Sequence, residues 1–359
     1  MSKPEIHDAS GENRKKLLES RKLVKWGSSE TLIMSLPRTW VKKFQLNKDS
    51  EVSIIENQDG SLLVSPLNFT NDKPKFESTI LFDAADFDDI DLVELEITTK
   101  YLDGNDIIII EKKEGKGPDK FPTKFTLKVQ EIVQSLLGLE ITSLLATKIK
   151  IQDIMNIHET NVDVLVKIIA DTAVDFFQNL IDLIKSQDYS THLDSLLISK
   201  KQVRKYFLRI LRELRKGLLV PASLSRMGLN NQDVVDMAFY ITDLSECADN
   251  LEIALNALKT GQTAKLDPKI VNAAVDYMGE VFKVFKSAVD SFLFKTKKDA
   301  IAVIKTVPDM ETKKRKIETT IDDLTNTTEY MGYEILLDIL SKILDHSRGI
   351  AISALRRII

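Results

Sequence analysis

Nine basic side chains, Arg14, Lys15, Lys16, Arg21, Lys22, Lys25, Arg38, Lys42 and Lys43, fall in one short segment that holds only two acids, Glu19 and Glu30. The whole chain has a net charge of −4, so everything beyond that segment is strongly acidic. Bases gathered in this way neutralise phosphates, which is the chemistry of gripping a polyanion, and an acidic body is left for some other task. The sequence offers little other chemistry. His7, His158, His192 and His346 lie far apart, and neither Gly-x-Ser-x-Gly nor His-Glu-x-x-His occurs. No triad can be assembled from these residues, so no enzymatic activity is expected. Lone Cys247 cannot close an internal bridge or build a cysteine zinc site. The GKG at 115–117 lacks the flanking strand and helix of a phosphate loop. Asp83, Asp86, Asp88, Asp89, Asp91, Glu94 and Glu96 read as a solvated face.

The elements that must position the bases can be read from periodicity. RKLVKW and ETLIMSL alternate as two strands around Gly27-Ser28-Ser29, and Pro37 opens a short helix, PRTWVKKF. EVSII and SLLVS follow as a second strand pair across Asp59-Gly60. A sheet this small buries too little surface to stand alone, which favours pairing with a second copy. Residues 1–17 read as a flexible lead and 68–78 as a linker. From 76 to 156, TILFDA, DIIIIEK and TKIKIQDI are predicted strands, with helices over DLVELEITTKYLDG and KFTLKVQEIVQSLLGLE between them. That order, β-α-β-α-β, implies a small α/β or ferredoxin-like layer.

From Glu159 onward the pattern is helical throughout. Val162, Leu165, Val166, Ile169, Ala173, Phe176, Phe177, Leu180, Leu183 and Ile184 keep helical spacing. Further helices are predicted near 191–219, 230–260, 267–296, 298–328 and 330–358, which suits two antiparallel three-helix bundles in tandem. Leu244-Ser245-Glu246-Cys247-Ala248-Asp249-Asn250 aligns with Leu340-Ser341-Lys342-Ile343-Leu344-Asp345-His346, each in the third helix of its proposed bundle. The division is then 1–17 lead, 18–67 β-rich head, 76–156 α/β layer, 159–262 first bundle and 266–359 second bundle. The 359 residues contain 13 Gly, 9 Pro and a single Cys, and no segment reads as a signal peptide or membrane span, so a cytoplasmic protein is expected.

This order of parts resembles a known combination. RKLVKWGSSETLIMSLPRTWVKKFQLNKDSEVSIIENQDGSLLVSP resembles the swapped-hairpin DNA-binding domain of the AbrB/SpoVT family. LKVQEIVQSLLGLEITSLLATKIKIQDIM resembles the connecting region of archaeal PhoU-like phosphate uptake regulators. VRKYFLRILREL and LSKILDHSRGIAISAL look like the middle and last helices of a PhoU bundle. The resemblance implies an α+β chain: an AbrB-like head, a connecting α/β domain and two tandem PhoU-like three-helix bundles. It implies a homodimer whose interlaced hairpins present Arg21, Lys22, Lys25 and Arg38 to DNA, with Lys42 and Lys43 beside them. Ser28 and Ser29 would supply small donors, although serine in a turn is also simply a turn residue. A solvated, aggregation-blocking sheet edge is the alternative role for the bases. Trp26 and Trp40 are expected as core or dimer-interface anchors.

PhoU relatives often bind metal clusters through E/D-x-x-x-D motifs. By that resemblance Asp276, Glu280 and Asp345 are candidate ligands for a divalent or iron-type metal on the second bundle, and Asp171, Asp175 and Asp249 on the first. Glu318 and Asp322 form a further pair. Carboxylates four apart share a helical face and repel unless a cation, base or solvent screens them. Against a metal, Ser245 and Ser341 stand where relatives have Glu, and Arg204 where they have Asp. Arg209, Arg212 and Arg215 could reach an anion or pair with neighbouring acids. The expected function is a DNA-binding transcriptional regulator of phosphate uptake whose bundles sense or dock partners. The alternative is a non-DNA-binding adaptor that docks on a phosphate transporter or its sensor kinase.

Overall fold

The computed structural model describes residues 20–27, 30–56, 60–66, 76–113, 118–155, 161–186, 189–219, 223–224, 227–260, 268–324 and 331–358. The predicted lead, most of the linker, Ser28, Ser29, Asp59 and the GKG segment lie outside them. The chain divides into two compact units, residues 1–74 and 75–359.

In the first unit, β1 (Val24–Lys25) pairs antiparallel with β2 (Leu32–Ile33). The Trp26 N–H donates to the Thr31 carbonyl at 3.0 Å, and Gly27 takes the left-handed φ of 62° that this turn requires. Pro37 is the N-cap of α1 (Arg38–Lys43), one residue earlier than the sequence suggests. β3 (Val52–Glu56) and β4 (Leu62–Pro66) form a separate antiparallel pair. No described residue from 20 to 66 is buried. Among its described residues the head therefore has four short strands and one short helix, and none of them is buried.

The second unit begins with a four-stranded sheet. Its elements are β5 (Glu77–Phe82), a 3₁₀ turn over Ala84–Asp88, α2 (Ile90–Leu102), β6 (Ile107–Lys112), α3 (Thr123–Ser135), β7 (Leu139–Leu144) and β8 (Lys148–Asp153). The strand order is β5-β6-β8-β7, with β5 parallel to β6 and the other pairs antiparallel. This corrects the expected layer in two respects. There is a fourth strand, and the order β-α-β-α-β-β with a parallel pair is not the ferredoxin-like β-α-β-β-α-β. The third predicted helix was drawn too long: α3 stops at Ser135, and Gly138, at φ 91°, turns the chain into β7. Ile80, Phe82, Ile108, Ile110, Ile149 and Ile151 pack against Val93, Ile97, Tyr101, Phe125, Val129, Ile132 and Val133 of the two helices.

Six helices follow: α4 (Val162–Ser186), α5 (Tyr189–Leu219), α6 (Asn231–Thr260), α7 (Pro268–Leu293), α8 (Lys297–Leu324) and α9 (Met331–Ile358). One hydrophobic core runs through both sets of three. α6 and α9 run antiparallel: Asp243 meets His346 at 2.9 Å, Asp236 meets Arg356 at 3.7 Å and Asp233 meets Arg357 at 3.9 Å. Carried along both helices, this register sets Cys247 opposite Ile343, and the sequence repeat aligns those same two positions. Both are fully buried. Aligning Asp171 and Asp175 with Asp276 and Glu280 likewise sets Phe177 on Phe282, and those rings lie 5.4 Å apart. Contacts between equivalent positions are what a local two-fold axis produces, so the geometry accords with a duplicated three-helix unit.

The basic face of α5 binds the α/β layer. Arg209 and Arg212 are fully buried. Arg209 Nη1 donates to Asp153 at 3.0 Å and to the Leu137 carbonyl at 3.1 Å. Arg212 donates to Asp153 Oδ2 at 3.0 Å and to the Tyr101 carbonyl, with its guanidinium 4.9 Å from the Tyr101 ring. Lys216 pairs with Asp106, and Arg215 with Asp103 and the Leu102 carbonyl. Glu213 Oε1 lies 2.9 Å from Arg209 Nη2 as an ion pair without hydrogen-bond geometry. Burial raises the Glu213 pKa above the usual carboxylate value although both arginines oppose the shift. Burial also works against the Arg209 charge, but Glu213 and Asp153 outweigh it and raise its pKa. A Cβ at Gly138 would sit 2.6 Å from Arg209 Nη1 and 2.8 Å from Asp153 Oδ1, so this glycine gives the ion pair its room.

Removing Asp153 leaves two buried guanidinium groups that share Glu213, at 2.9 Å from Arg209 and 3.8 Å from Arg212, with Asp106 3.6 Å from Arg212, and Asp153→Ala is expected to cost about 3 kcal/mol in urea unfolding. Glu213→Gln should cost less. Because the folded-state pKa of Glu213 is raised, its contribution is full at acid pH and is lost as pH rises through that value. The wild type should therefore lose stability relative to Glu213→Gln between acid and neutral pH, as read by paired thermal melts.

Candidate nucleic-acid interface

The head brings its bases to the surface on neighbouring elements. Arg21 and Lys22 precede β1, Lys25 ends it, Arg38 opens α1, and Lys42 and Lys43 close it; all six are exposed. Arg38 and Lys42 are four apart and so share a face of α1. Lys42 and Lys43 occupy the last turn, where the helix dipole favours cations. The Lys43 ammonium lies 5.3 Å from the Phe44 ring centroid. Lys22, Lys25, Arg38, Lys42 and Lys43 make no ion pair among the described residues, so their charge is available to a ligand. Ser28 and Ser29 lie outside the described residues.

The same hairpin is apolar on both faces. Leu23, Val24 and Trp26 on one side of the turn, and Leu32, Ile33 and Met34 on the other, are 42–65% exposed. Consecutive residues of a strand point to opposite faces, so neither face of this strand pair is covered by the described residues. Trp26, at 65% exposure, is not a core residue. Trp40 is half-buried and meets Phe44 edge-on at 5.4 Å. The bases lie beside these exposed apolar residues in sequence.

The metal ligands suggested by resemblance do not come together. Among the described residues no three His, Cys, Asp or Glu side chains converge. Lysines take up the carboxylates instead. Glu280 pairs with Lys313 and Asp171 with Lys167, while Asp249 shares Lys200 with Glu252 at 3.2 and 2.8 Å. Lys314 bridges Glu318 and Asp338 at 3.2 and 2.7 Å. Asp175 and Asp276 are exposed on their helices, and so is Asp345, beside a His346 that is engaged by Asp243. An oxygen-rich cation site needs several carboxylates turned on one point, whereas here Asp171, Asp249 and Glu280 are each paired with a lysine and Asp175, Asp276 and Asp345 converge with no other two ligand-type side chains among the described residues. The residues present do not fit a metal.

The arginines considered for an anion are also committed. Arg209 and Arg212 are structural and buried, Arg215 holds Asp103, and Arg204 lies 3.6 Å from Glu94. Sequence reasoning did not identify Asp153 as their partner. Its only signal is an acid at the end of a predicted strand, and nothing in the sequence ties it to a helix more than fifty residues later.

Residues 23–71 match the family described as antidote-toxin recognition MazE, bacterial antitoxin. The match lies on the segment that resembles the AbrB/SpoVT domain and supports that part of the resemblance. It covers the head alone. No curated protein and no solved structure matches the chain, so the PhoU-like resemblance of the body rests on the sequence motifs. No helix among the described residues is long and apolar enough to cross a membrane.

Metal analysis of the dialysed full chain is expected to find no stoichiometric divalent or iron-type metal, and Glu280→Ala should leave the content unchanged. A bound metal lost in that variant would restore the second-bundle site.

Proposed function

We propose that the protein is a dimeric DNA-binding transcriptional regulator whose head grips the duplex backbone while the helical body senses a signal or docks a partner. The observation that carries this reading is the set of exposed bases, of which Lys22, Lys25, Arg38, Lys42 and Lys43 make no ion pair among the described residues, on a head with no buried described residue and a hairpin apolar on both faces. Two copies folded together would bury the apolar strands and double the number of bases that can neutralise phosphates. Such contacts supply affinity and position the protein; base-edge contacts must supply specificity. The family matched by the head is described as an antitoxin, and a regulator of that general kind agrees with the geometry.

The finer reading is control of phosphate uptake. It is supported by the order of parts, an AbrB-like head ahead of helices that resemble PhoU bundles. Chromatin immunoprecipitation under phosphate limitation, with phosphate-transport promoters as the expected targets, tests it. The adaptor reading keeps the head as a dimer clamp and predicts no DNA retention.

Binding of the full chain to duplex DNA should weaken steeply with salt. Arg21→Ala, Lys22→Ala and Lys25→Ala together should flatten the slope of log K against log salt by about 3 if each base neutralises a phosphate in one bound chain. Binding that is absent, or indifferent to salt and to these substitutions, favours the clamp. In the same preparations Leu32→Lys is expected to shift sedimentation from dimer towards monomer.

A further inference from the structure

The α/β sheet has two outer strands, and they are unequally protected. β7 carries a register irregularity between Ile141 and Ser143, the kind of feature that discourages strand addition. β5 runs unbroken through six consecutive pairs with β6 and contains neither proline nor lysine. The Phe76 and Phe82 carbonyls accept from the N–H groups of Ile107 and Lys113, on the β6 side. Ser78 and Ile80 share that lateral direction, so Glu77, Thr79 and Leu81 direct their N–H and C=O groups outward. Among the described residues no strand pairs with this edge. Thr79 is exposed and Leu81 is 57% exposed, while Ile80 and Phe82 point into the core.

We propose that the β5 edge pairs antiparallel with the same edge of a second copy, joining two four-stranded sheets into one of eight strands across a two-fold axis. This rests on the head being dimeric. β4 ends at Pro66 and β5 begins at Glu77, and so short a connection spans at most about 35 Å. A dimeric head therefore tethers the two β5 edges at an effective concentration of order millimolar. The register suits self-pairing. Centred on Thr79, it sets Thr79 against the partner's Thr79 and Glu77 against the partner's Leu81, so no like charges stand opposite one another. All three outward residues then fall in pairs that exchange both backbone hydrogen bonds.

The test is a thiol placed at the centre of this register. Thr79→Cys in the full chain sets two sulfurs across a pair whose Cα atoms lie about 5.5 Å apart, within disulfide reach. Native Cys247 is fully buried and does not compete. Mild oxidation at micromolar protein is expected to give mostly covalent dimer. Ile253→Cys, exposed on α6, is expected to give none. Adding Leu81→Glu to Thr79→Cys sets like charges opposite one another at both Glu77–residue 81 pairs and should cut the yield several-fold. Sedimentation and DNA retention are measured on the same samples. No disulfide in a chain that remains dimeric and binds DNA overturns the edge pairing and leaves the head reading standing. A yield that Leu81→Glu does not lower, or that Ile253→Cys matches, reports random collision and also overturns it. A monomeric chain defeats both readings, and a disulfide without DNA binding supports the edge while removing the DNA assignment.

Discussion

The helical body is held to its α/β layer by two buried guanidinium groups and one carboxylate. Arg209 and Arg212 have no exposure, and both close on Asp153. A charge of this kind cannot be left in a dry interior without a partner, because its desolvation costs several kcal/mol. The partners come from separate places: Asp153 at the end of β8, the Tyr101 carbonyl in α2, and the Leu137 carbonyl just after α3. α5 can therefore seat its middle turns only against a layer in which β8, α2 and the α3–β7 turn are already formed. Hydrophobic burial drives the association, since Leu208 of α5 joins the core of the layer. The ion pairs select one register for it.

The head is built on the opposite plan. It leaves its apolar residues and its cations at the surface, and no described residue in it is buried. Such a unit gains little by folding alone. If two copies complete it, as proposed above, DNA binding and assembly are linked, because the same hairpin carries the apolar residues and the bases. The body, with one core through six helices, carries no such requirement.

Much of this was legible in the sequence because the strongest signals are periodic. The long amphipathic helices gave their limits to within a few residues, since 3.6-residue spacing over many turns has few other interpretations. The head was legible because turn residues, Pro37 and alternating strands fall at short, regular intervals. β7 was hidden. Leu136, Leu137, Leu139 and Ile141 fit either a helix or a strand, and only the conformation of Gly138 decides between them. The duplication was visible as a weak repeat, but the pairing of Phe177 with Phe282 depends on a fold that returns equivalent helices to one axis. The fate of the arginines could not be read at all. A base in α5 and a base in the head look alike in sequence, and the difference lies in whether a distant acid arrives.

That difference determines which part of the chain can attract a polyanion. α5 carries Arg204, Lys205, Arg209, Arg212, Arg215 and Lys216, a density of bases that rivals the head. Every one of them is engaged: Arg204 by Glu94, Lys205 by the Gln134 carbonyl, and the rest by Asp153, Asp103, Asp106 or Glu213. Arg204, Arg209, Arg212, Arg215 and Lys216 are paired with acids and so contribute little to the field at a distance, while Lys205 keeps its charge; the excess acid of the body remains. On the proposed reading a duplex would be attracted by the smaller unit, where Lys22, Lys25, Arg38, Lys42 and Lys43 are exposed and make no ion pair among the described residues. A net negative charge over the whole chain is therefore compatible with the proposed DNA binding.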